Sequence, residues 1–194
     1  MEAVSSRLSG PAILRVISFL TIAVLGCAAL AARCSATMVV PKNFAALCSE
    51  ADLIFVGTVT DVSSRWSDPA IQSIETLVTF GDLIWVRGAP RSTVTLRFGG
   101  GTVDGLREEF AGVPHFAVGE RRVIFAHEGT FVSPIVGFDQ GALPVVKSAD
   151  GDAVIDDRTH GGAGTHFAAT GPVPLDEFLA RVREQIDNPT PGAP

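Results

Sequence analysis

Short runs of β-branched and apolar residues follow one another through the middle of this chain, with no helical pattern between them. Leu53–Val59 is one such run, and alternate residues of 74–80 share one face of a second. In a third, Val94–Phe98, apolar and polar residues alternate, which is typical of a strand with one buried face. Because parallel strands need long and usually helical crossovers, the pattern favours antiparallel pairing. The sequence therefore predicts a mainly β fold, either a small antiparallel, OB-like barrel or a sandwich.

A helix is predicted near each end of this β region. At its start, Phe44, Leu47 and Ala51 are spaced so that they fall on one helical face. Near the C-terminus, Pro174 begins a segment with acidic residues in its first turn, where the helix dipole favours negative charge. The apolar stripe of that segment predicts a second helix over residues 174–188.

Turn-forming residues divide the predicted strands. Trp66–Pro69 predicts a turn, and Gly81 predicts a bulge inside the second strand. Gly99–Gly101 indicate a bulge or a barrel corner at the end of the third strand. Phe131–Phe138 and Ala142–Val146 are then expected to form a closing hairpin.

Residues 1–36 have the composition of a secretory signal peptide. Two arginines make their start weakly basic, Val16–Ala32 contains no charge, and small residues precede a cleavage position after Ala36. The apolar run has 17 residues, fewer than the roughly 20 that a spanning helix needs. We therefore predict a secreted or periplasmic protein with no spanning helix after cleavage. The alternatives are an uncleaved anchor and a lipid anchor at Cys27, because the four residues ending there resemble a lipobox.

The chain is acidic, and removal of the predicted signal makes it more so. The whole chain has a net charge of −6, and the 158 residues that would remain have 12 basic and 20 acidic residues, a net charge of −8. Such a surface repels phosphate backbones, so nucleic acid is not an expected partner. Cys48 is the one cysteine outside the signal. Because it has no intrachain partner, the predicted domain must be stabilised by its core.

The length fits one domain. We divide the chain into a signal peptide over residues 1–36 and a β-barrel domain over 37–147. A flexible acidic and glycine-rich loop over 148–173 follows, then the C-terminal helix over 174–188 and a tail over 189–194.

Three short motifs occur in order between Val39 and Val146: ADLIFVGTV at the end of the first helix, FGGG at a strand end, and PHFAVGERRVIF. In these motifs the chain resembles a family of uncharacterised exported bacterial proteins. That family is in turn similar to the OB-type barrel of netrin-like domains and tissue inhibitors of metalloproteinases. The resemblance implies a barrel, and by analogy a protease-inhibitor-like domain. Those inhibitors begin with Cys-x-Cys at the protease zinc and are braced by disulfides, whereas the predicted mature start, Thr37–Val39, has no cysteine.

The common signatures of catalysis are missing from the sequence. No G-x-S-x-G string marks a nucleophilic serine. Cys48 lies on the apolar stripe of the first helix, which favours a small buried side chain over a nucleophile. Glu108 and Glu109 are adjacent and would point to opposite faces of a strand, so they do not make a glycosidase pair. Arg121 and Arg122, with their acidic neighbours, are expected to lie on a solvated sheet edge.

Metal and phosphate motifs also fail. No pair of histidines has the H-E-x-x-H spacing; the four are His115, His127, His160 and His166. The acidic segment beginning at Asp150 lacks the spacing of a calcium-binding EF-hand loop. Gly99–Gly101 is not followed by the Lys-Ser/Thr of a phosphate-binding loop.

The sequence therefore predicts an exported, non-catalytic binding or interaction module, whose ligand is a peptide, a protein or an envelope component. We assign no catalytic, cofactor-binding or metal-binding residues and no cofactor. One alternative is a secreted hydrolase that uses His115 or His127 with a carboxylate partner. The other is the protease-inhibitor-like domain that the resemblance implies.

Overall fold

The structure is a computed structural model that describes residues 40–68, 70, 73–129, 132–155 and 171–189. The predicted signal peptide lies outside the described residues, as do 156–170 of the predicted loop and 190–194 of the predicted tail. The described part of the chain forms two helices and nine strands. They are α1 (Phe44–Glu50), β1 (Leu53–Asp68), β2 (Ser73–Arg87), β3 (Val94–Gly99), β4 (Gly101–Val103), β5 (Leu106–Glu108), β6 (Arg121–Ala126), β7 (Ala142–Ser148), β8 (Gly151–Val154), β9 (Val173–Pro174) and α2 (Leu175–Asp187).

Seven of these strands form one antiparallel sheet in the order β3-β2-β1-β6-β7-β8-β9, while β4 and β5 pair as a small separate hairpin. The prediction of a mainly β, antiparallel fold with a helix near each end is confirmed. The sheet is open, because its two edge strands, β3 and β9, do not pair with each other. A closed barrel, one of the two predicted forms, is therefore not what the structure shows.

The sheet carries a core on each face. On one face, α1 and α2 cover alternate residues of the central strands, among them Ile54, Val56 and Phe125. On the other face lies a second core that contains Phe55, Phe80 and residues of β3. We call this second face the Phe80 face. Neither described helix has the length and apolar character needed to cross a membrane.

Local contacts explain where α1 begins and ends. The Asn43 side chain accepts a hydrogen bond from the Ala46 N–H at 2.8 Å and so caps the N-terminus. At the other end, the Arg87 guanidinium of β2 donates to the carbonyls of Cys48 and Ala51 at 2.6 and 2.8 Å. Because the last carbonyls of a helix have no intrahelical donors, these bonds stabilise its C-terminus and tie it to the sheet.

The first two strands are long and irregular in register. Thr58 pairs with Gly81, next to a register shift, and Asp82 follows with a φ of 48°, so the predicted bulge at Gly81 is confirmed. The predicted turn at Trp66–Pro69 is wrong for its described residues, because Trp66 pairs with Ile74 and β1 continues to Asp68. Cross-strand pairing with β2 thus outweighs the local turn preference.

The predicted hairpin between Phe131–Phe138 and Ala142–Val146 is also wrong. Ile135 makes an isolated bridge to Ala126, and residues 136–141 form turns. Gly137 and Phe138 both have φ above 60°, which interrupts an extended strand. Instead, β7 pairs with β6 on one side and with β8 on the other. Strand β8 lies inside the segment for which a flexible loop was predicted.

Candidate ligand-binding site

The Phe80 face carries a cavity of about 260 Å³ over the paired strands β1, β2 and β3. We call this cavity the mouth pocket. Val62 and Ser64 of β1 and Thr76 and Val78 of β2 form its floor, together with Phe98 of β3. These residues alternate with neighbours that face the other side of the sheet, so the strand period places all of them on the Phe80 face.

A corner of three glycines closes one side of the mouth pocket. Gly99 ends β3, and the next two glycines turn the chain into β4 with φ values of 88° and 139°. A Cβ at Gly101 would lie 2.4 Å from Ser64 Oγ and 2.5 Å from Thr76 Oγ1. Only glycine lets the backbone approach this closely with such dihedral angles. A bulge or a barrel corner was predicted at this position; the structure shows a corner, in a sheet that is not closed.

Two hydroxyls connect the floor to this corner. Thr76 Oγ1 donates to the Gly100 carbonyl at 2.7 Å, which uses its single proton. The Ser64 hydroxyl, 3.0 Å away, is therefore the donor in its bond to Thr76. The chain of hydrogen bonds from β1 to β2 to the corner fixes the floor and presents polar atoms on an otherwise apolar surface.

The opposite wall is an aromatic side chain held by three neighbours. The Phe116 ring meets Phe80 nearly edge-on, with 5.6 Å between centroids, and lies 5.1 Å from the ring of Phe98. The Arg122 guanidinium lies 5.0 Å above the same ring, within the range of a cation–π contact. Arg121 and Arg122 are both on β6, an internal strand between β1 and β7, so their predicted place on a solvated edge is wrong. The Arg122 guanidinium holds this wall in position.

Charged side chains at the rim already have partners. Arg107 bonds to Glu109, and Arg122 bonds to Glu120 at 2.9 Å. The Glu108 carboxylate accepts the Ile74 N–H at 2.7 Å. Because both arginines are paired with carboxylates and the Glu108 carboxylate accepts a backbone N–H, the remaining surface of the mouth pocket is mainly apolar with a few hydroxyl and backbone groups.

Phe110 separates the mouth pocket from a second cavity of about 320 Å³, which lies against β3. We call this second cavity the edge groove; Phe98, Gly99 and Val132 line it with Phe110. The Phe110 and Val132 side chains are 39% and 42% exposed. A Cβ on Gly99 would lie 3.1 Å from the Phe110 ring, so this ring packs directly on the β3 backbone.

The two histidines named for a hydrolase lie apart in the fold. His115 is exposed at the rim of the mouth pocket. His127 follows β6 and has its Nδ1 3.9 Å from Asp52 Oδ2, at a site where the Asp52 side chain is 57% exposed. That carboxylate accepts the backbone N–H of Glu128. His160 and His166 lie outside the described residues.

Cys48 is the candidate nucleophile that the sequence contained, and its side chain is 1% exposed. Burial raises the pKa of its thiol to about 12, and the charge of Arg87 offsets this only in part. A thiol with that pKa is not ionised near neutral pH and is a poor nucleophile. The interpretation of Cys48 as a small buried side chain is confirmed. The hydrolase itself stays a prediction.

In the acidic segment after β7, the carboxylate of Asp152 is paired with two cationic side chains of the protein itself. Lys147 Nζ donates to Asp152 Oδ1 at 2.6 Å, and Arg121 Nε lies 3.4 Å from Oδ2. The hydrogen bond from Lys147 is the main cause that lowers the pKa of Asp152. Asp156 and Asp157 are outside the described residues. Within the described ranges, no three potential metal-binding side chains come together.

We compared the chain with protein-family models, curated proteins and solved structures. None of them matches it. The resemblance to netrin-like barrels therefore stays a prediction from sequence motifs, and any function must be inferred from the residues of the site.

Sequence reasoning missed the mouth pocket, although one signal for it was present. Thr76 was placed on the same strand face as Val78 and Phe80, and a hydroxyl on an otherwise apolar face marks a special position. Phe110 and Phe116 carried no such signal, because they lie outside strands and are brought to the site by long-range packing.

Proposed function

We propose that this chain is an exported, non-catalytic binding module and that the mouth pocket is its ligand-contacting surface. One observation carries the proposal: apolar side chains from several elements converge there with two hydroxyls and a glycine corner. Concave apolar pockets with a few placed polar groups are the usual form of a ligand site.

The size of the mouth pocket limits the ligand. At about 260 Å³, it is slightly below the range of roughly 300–1,000 Å³ that holds drug-sized ligands. It exceeds the cavity of about 150 Å³ that holds a benzene ring in an engineered protein. We therefore propose that the ligand is a peptide or protein that inserts one aromatic or aliphatic side chain.

The rigidity of the walls favours binding. The Phe116 ring is fixed by two aromatic rings and a guanidinium, and the Ser64–Thr76 pair fixes the floor. Less side-chain freedom is lost when a site is held in its binding geometry before the ligand arrives. Because the chain has a net charge of −6, the proposal does not include nucleic acid as a ligand.

The test is a methyl-NMR titration with a library of single-ring aromatic and branched aliphatic fragments. We expect binding fragments to shift the methyl signals of Val62, Val78 and Val113, which line the mouth pocket. Phe110→Ala should lower the affinity for the tightest-binding fragment about tenfold, equal to about 1.4 kcal/mol of binding free energy. The control is Phe138→Ala, because Phe138 has nearly the same exposure, 38% against 39%, and does not line the pocket. The proposal fails if no fragment shifts these methyls, or if both variants weaken binding equally.

Export is tested separately, by the mass and N-terminal sequence of the protein recovered after expression in a secreting bacterium. A mature chain that starts at Thr37 without lipid supports the predicted cleavage after Ala36. A chain that starts at a lipidated Cys27 indicates a lipoprotein, and an intact leader contradicts cleavage.

A further inference from the structure

Strand β3 forms an open edge of the sheet. It pairs with β2 on one side only, in a register without shifts. Gly100 N–H donates to the Ile74 carbonyl, while Gly99 N–H points the other way and donates to the Val132 carbonyl at 2.7 Å. Because hydrogen-bonding direction alternates along an antiparallel strand, the backbone groups of Thr95 and Arg97 also point outward. In the described part of the chain they have no backbone partner.

This edge lacks the features that usually protect one. Natural edges are blocked by proline, by bulges or by outward charges. Strand β3 has no proline, and its one charged side chain is turned over the sheet face: Arg97 Nη2 and Nε donate to Glu75 at 2.6 and 2.9 Å. The Val132–Gly99 hydrogen bond covers only the end of the strand.

The charge beside the edge is positive, although the chain as a whole is acidic. Arg65 and Arg97 share the single carboxylate of Glu75, and their side chains are 59% and 48% exposed. One positive charge is therefore left over beside β3. A carboxylate on an arriving strand would complement it.

The edge groove adds an apolar position at the correct spacing. Arg97 and Gly99 are two residues apart, so residues that face them on an added strand are also two apart and share one face. Gly99 has no side chain, and the edge groove beside it is bordered by Phe110 and Val132. Phe110 and Val132 already pack on the glycine, so an apolar side chain on the added strand can contact these two exposed side chains and fill the groove.

From these observations we infer that the open edge of β3 binds an extended segment of another protein by strand addition. The segment carries an acidic residue opposite Arg97 and an apolar residue two positions further on, which contacts Phe110 and Val132. Its backbone pairs with Thr95 and Arg97 and not with Gly99, because the Val132 carbonyl already accepts the Gly99 N–H. The residues of β3 include no carboxylate, so the same strand of a second copy would not supply the acidic group. The inference does not rest on a ligand in the mouth pocket, since Thr95 and Arg97 do not line it.

The probe is a fluorescein-labelled six-residue peptide of alternating polar and apolar residues, with a glutamate and a phenylalanine separated by one valine. We expect saturable anisotropy changes with the full chain, and shifts in the backbone amide signals of Thr95 and Arg97. Methylating the peptide nitrogens that face β3 should abolish binding, because it removes donors and leaves the side chains unchanged. Replacing the peptide glutamate by lysine should weaken binding about two- to fivefold.

The protein variant is Thr95→Pro, which removes an outward N–H and no bond to β2. We expect this variant to bind the peptide about tenfold more weakly, or weaker still. It also removes the hydroxyl bond between Thr95 and Thr79, 2.9 Å long, so Thr79→Val is the matched control and should bind as the unchanged protein does. Should Thr95→Pro fail to fold, the N-methylated peptide decides the question on the unchanged protein. Three results would overturn the inference: no peptide binding, equal binding of the N-methylated peptide, or a concentration-dependent dimer that Thr95→Pro dissociates.

Discussion

Glu75 offers the sharpest test of how the strands beside the edge groove are stabilised. Its side chain is only 9% exposed and accepts three N–H bonds from two arginines. Burial raises the pKa of Glu75, but the hydrogen bonds from Arg97 and Arg65 together lower it by more, so the carboxyl has a pKa below its usual value. The perturbation is Glu75→Gln, which keeps the shape and removes the charge.

The loss of stability caused by Glu75→Gln follows from the number of arginine N–H donors that lose their acceptor. A glutamine offers one acceptor oxygen, and its NH₂ group faces arginine donors, so about two charge-assisted bonds are lost. Each is worth about 1.5–3 kcal/mol when its partner stays buried. Because both arginines are about half exposed and regain water, we reduce the total to about 2–3 kcal/mol. For the predicted mature domain of 158 residues, this lowers Tm by about 4–12 °C.

The pH dependence has a definite sign. Since the pKa of Glu75 is lower in the folded than in the unfolded state, the unfolded chain takes up the proton first as the pH falls. The stabilisation is complete above the unfolded value of about 4.3 and is lost as the pH falls through the folded value. The difference in unfolding free energy between the two proteins is therefore constant near neutral pH and shrinks towards zero in acid.

The assay is urea unfolding between about pH 3 and pH 7, followed by tryptophan fluorescence. Glu50→Gln is the control, because the Glu50 side chain is 38% exposed and pairs with Lys42 at the surface; it should cost less than about 1 kcal/mol at every pH. A difference for Glu75→Gln that is as large in acid as at neutral pH would refute the reasoning, and so would a variant as stable as the unchanged protein.

Three further predictions concern stability and reactivity. Because burial raises the pKa of the Cys48 thiol to about 12, an aromatic disulfide reagent should modify it only after unfolding, as mapped by mass spectrometry with and without urea; rapid labelling of the native chain would contradict this. Arg87→Met should cost about 1–3 kcal/mol in urea unfolding, because two carbonyls at the end of α1 lose their donors. The control is Arg91→Met, at an exposed position where the paired carboxylate is 3.9 Å away; it should change the free energy of unfolding by no more than about 0.5 kcal/mol. Equal losses of stability in the two variants would argue against the role of Arg87 at the end of α1. Gly101→Ala should cost roughly 2–4 kcal/mol through backbone strain and the close hydroxyls. Gly105→Ala, which also has positive φ but has open space around its Cβ, should cost only about 1 kcal/mol, and a similar loss for both variants would show that the crowding is unimportant.

Local periodicity predicted the elements whose neighbours agree with it. Alternation over 94–98 matches β3, and the apolar stripe near the C-terminus matches α2, whose Phe178 and Val182 are fully buried. The first helix was found by the same reasoning. In these segments local preference and tertiary packing favour the same structure, which is why one sequence was sufficient.

The errors lie where distant residues decide the structure. Trp66 continues β1 because Ile74 pairs with it across the sheet, although its local sequence favours a turn. Strand β8 forms between β7 and β9 in a segment rich in aspartate and glycine. Arg122 lies on an internal strand because β6 is inserted between β1 and β7. The local sequence pattern does not predict this strand order. The mouth pocket depends on the same long-range order.

Several residues that depart from the rules of stable folding lie close together around the end of β3. Gly99 lies inside β3, where a glycine costs about 0.5–1 kcal/mol relative to alanine. Thr76 places a hydroxyl on an apolar strand face, and Phe110 leaves 39% of its surface exposed beside a sheet edge without protection. By contrast, the contacts between the helices and the other face follow ordinary packing. Natural sequences depart from local rules mainly where function requires it, so this clustering supports ligand binding at the mouth pocket and at the edge of β3 more than any single contact does.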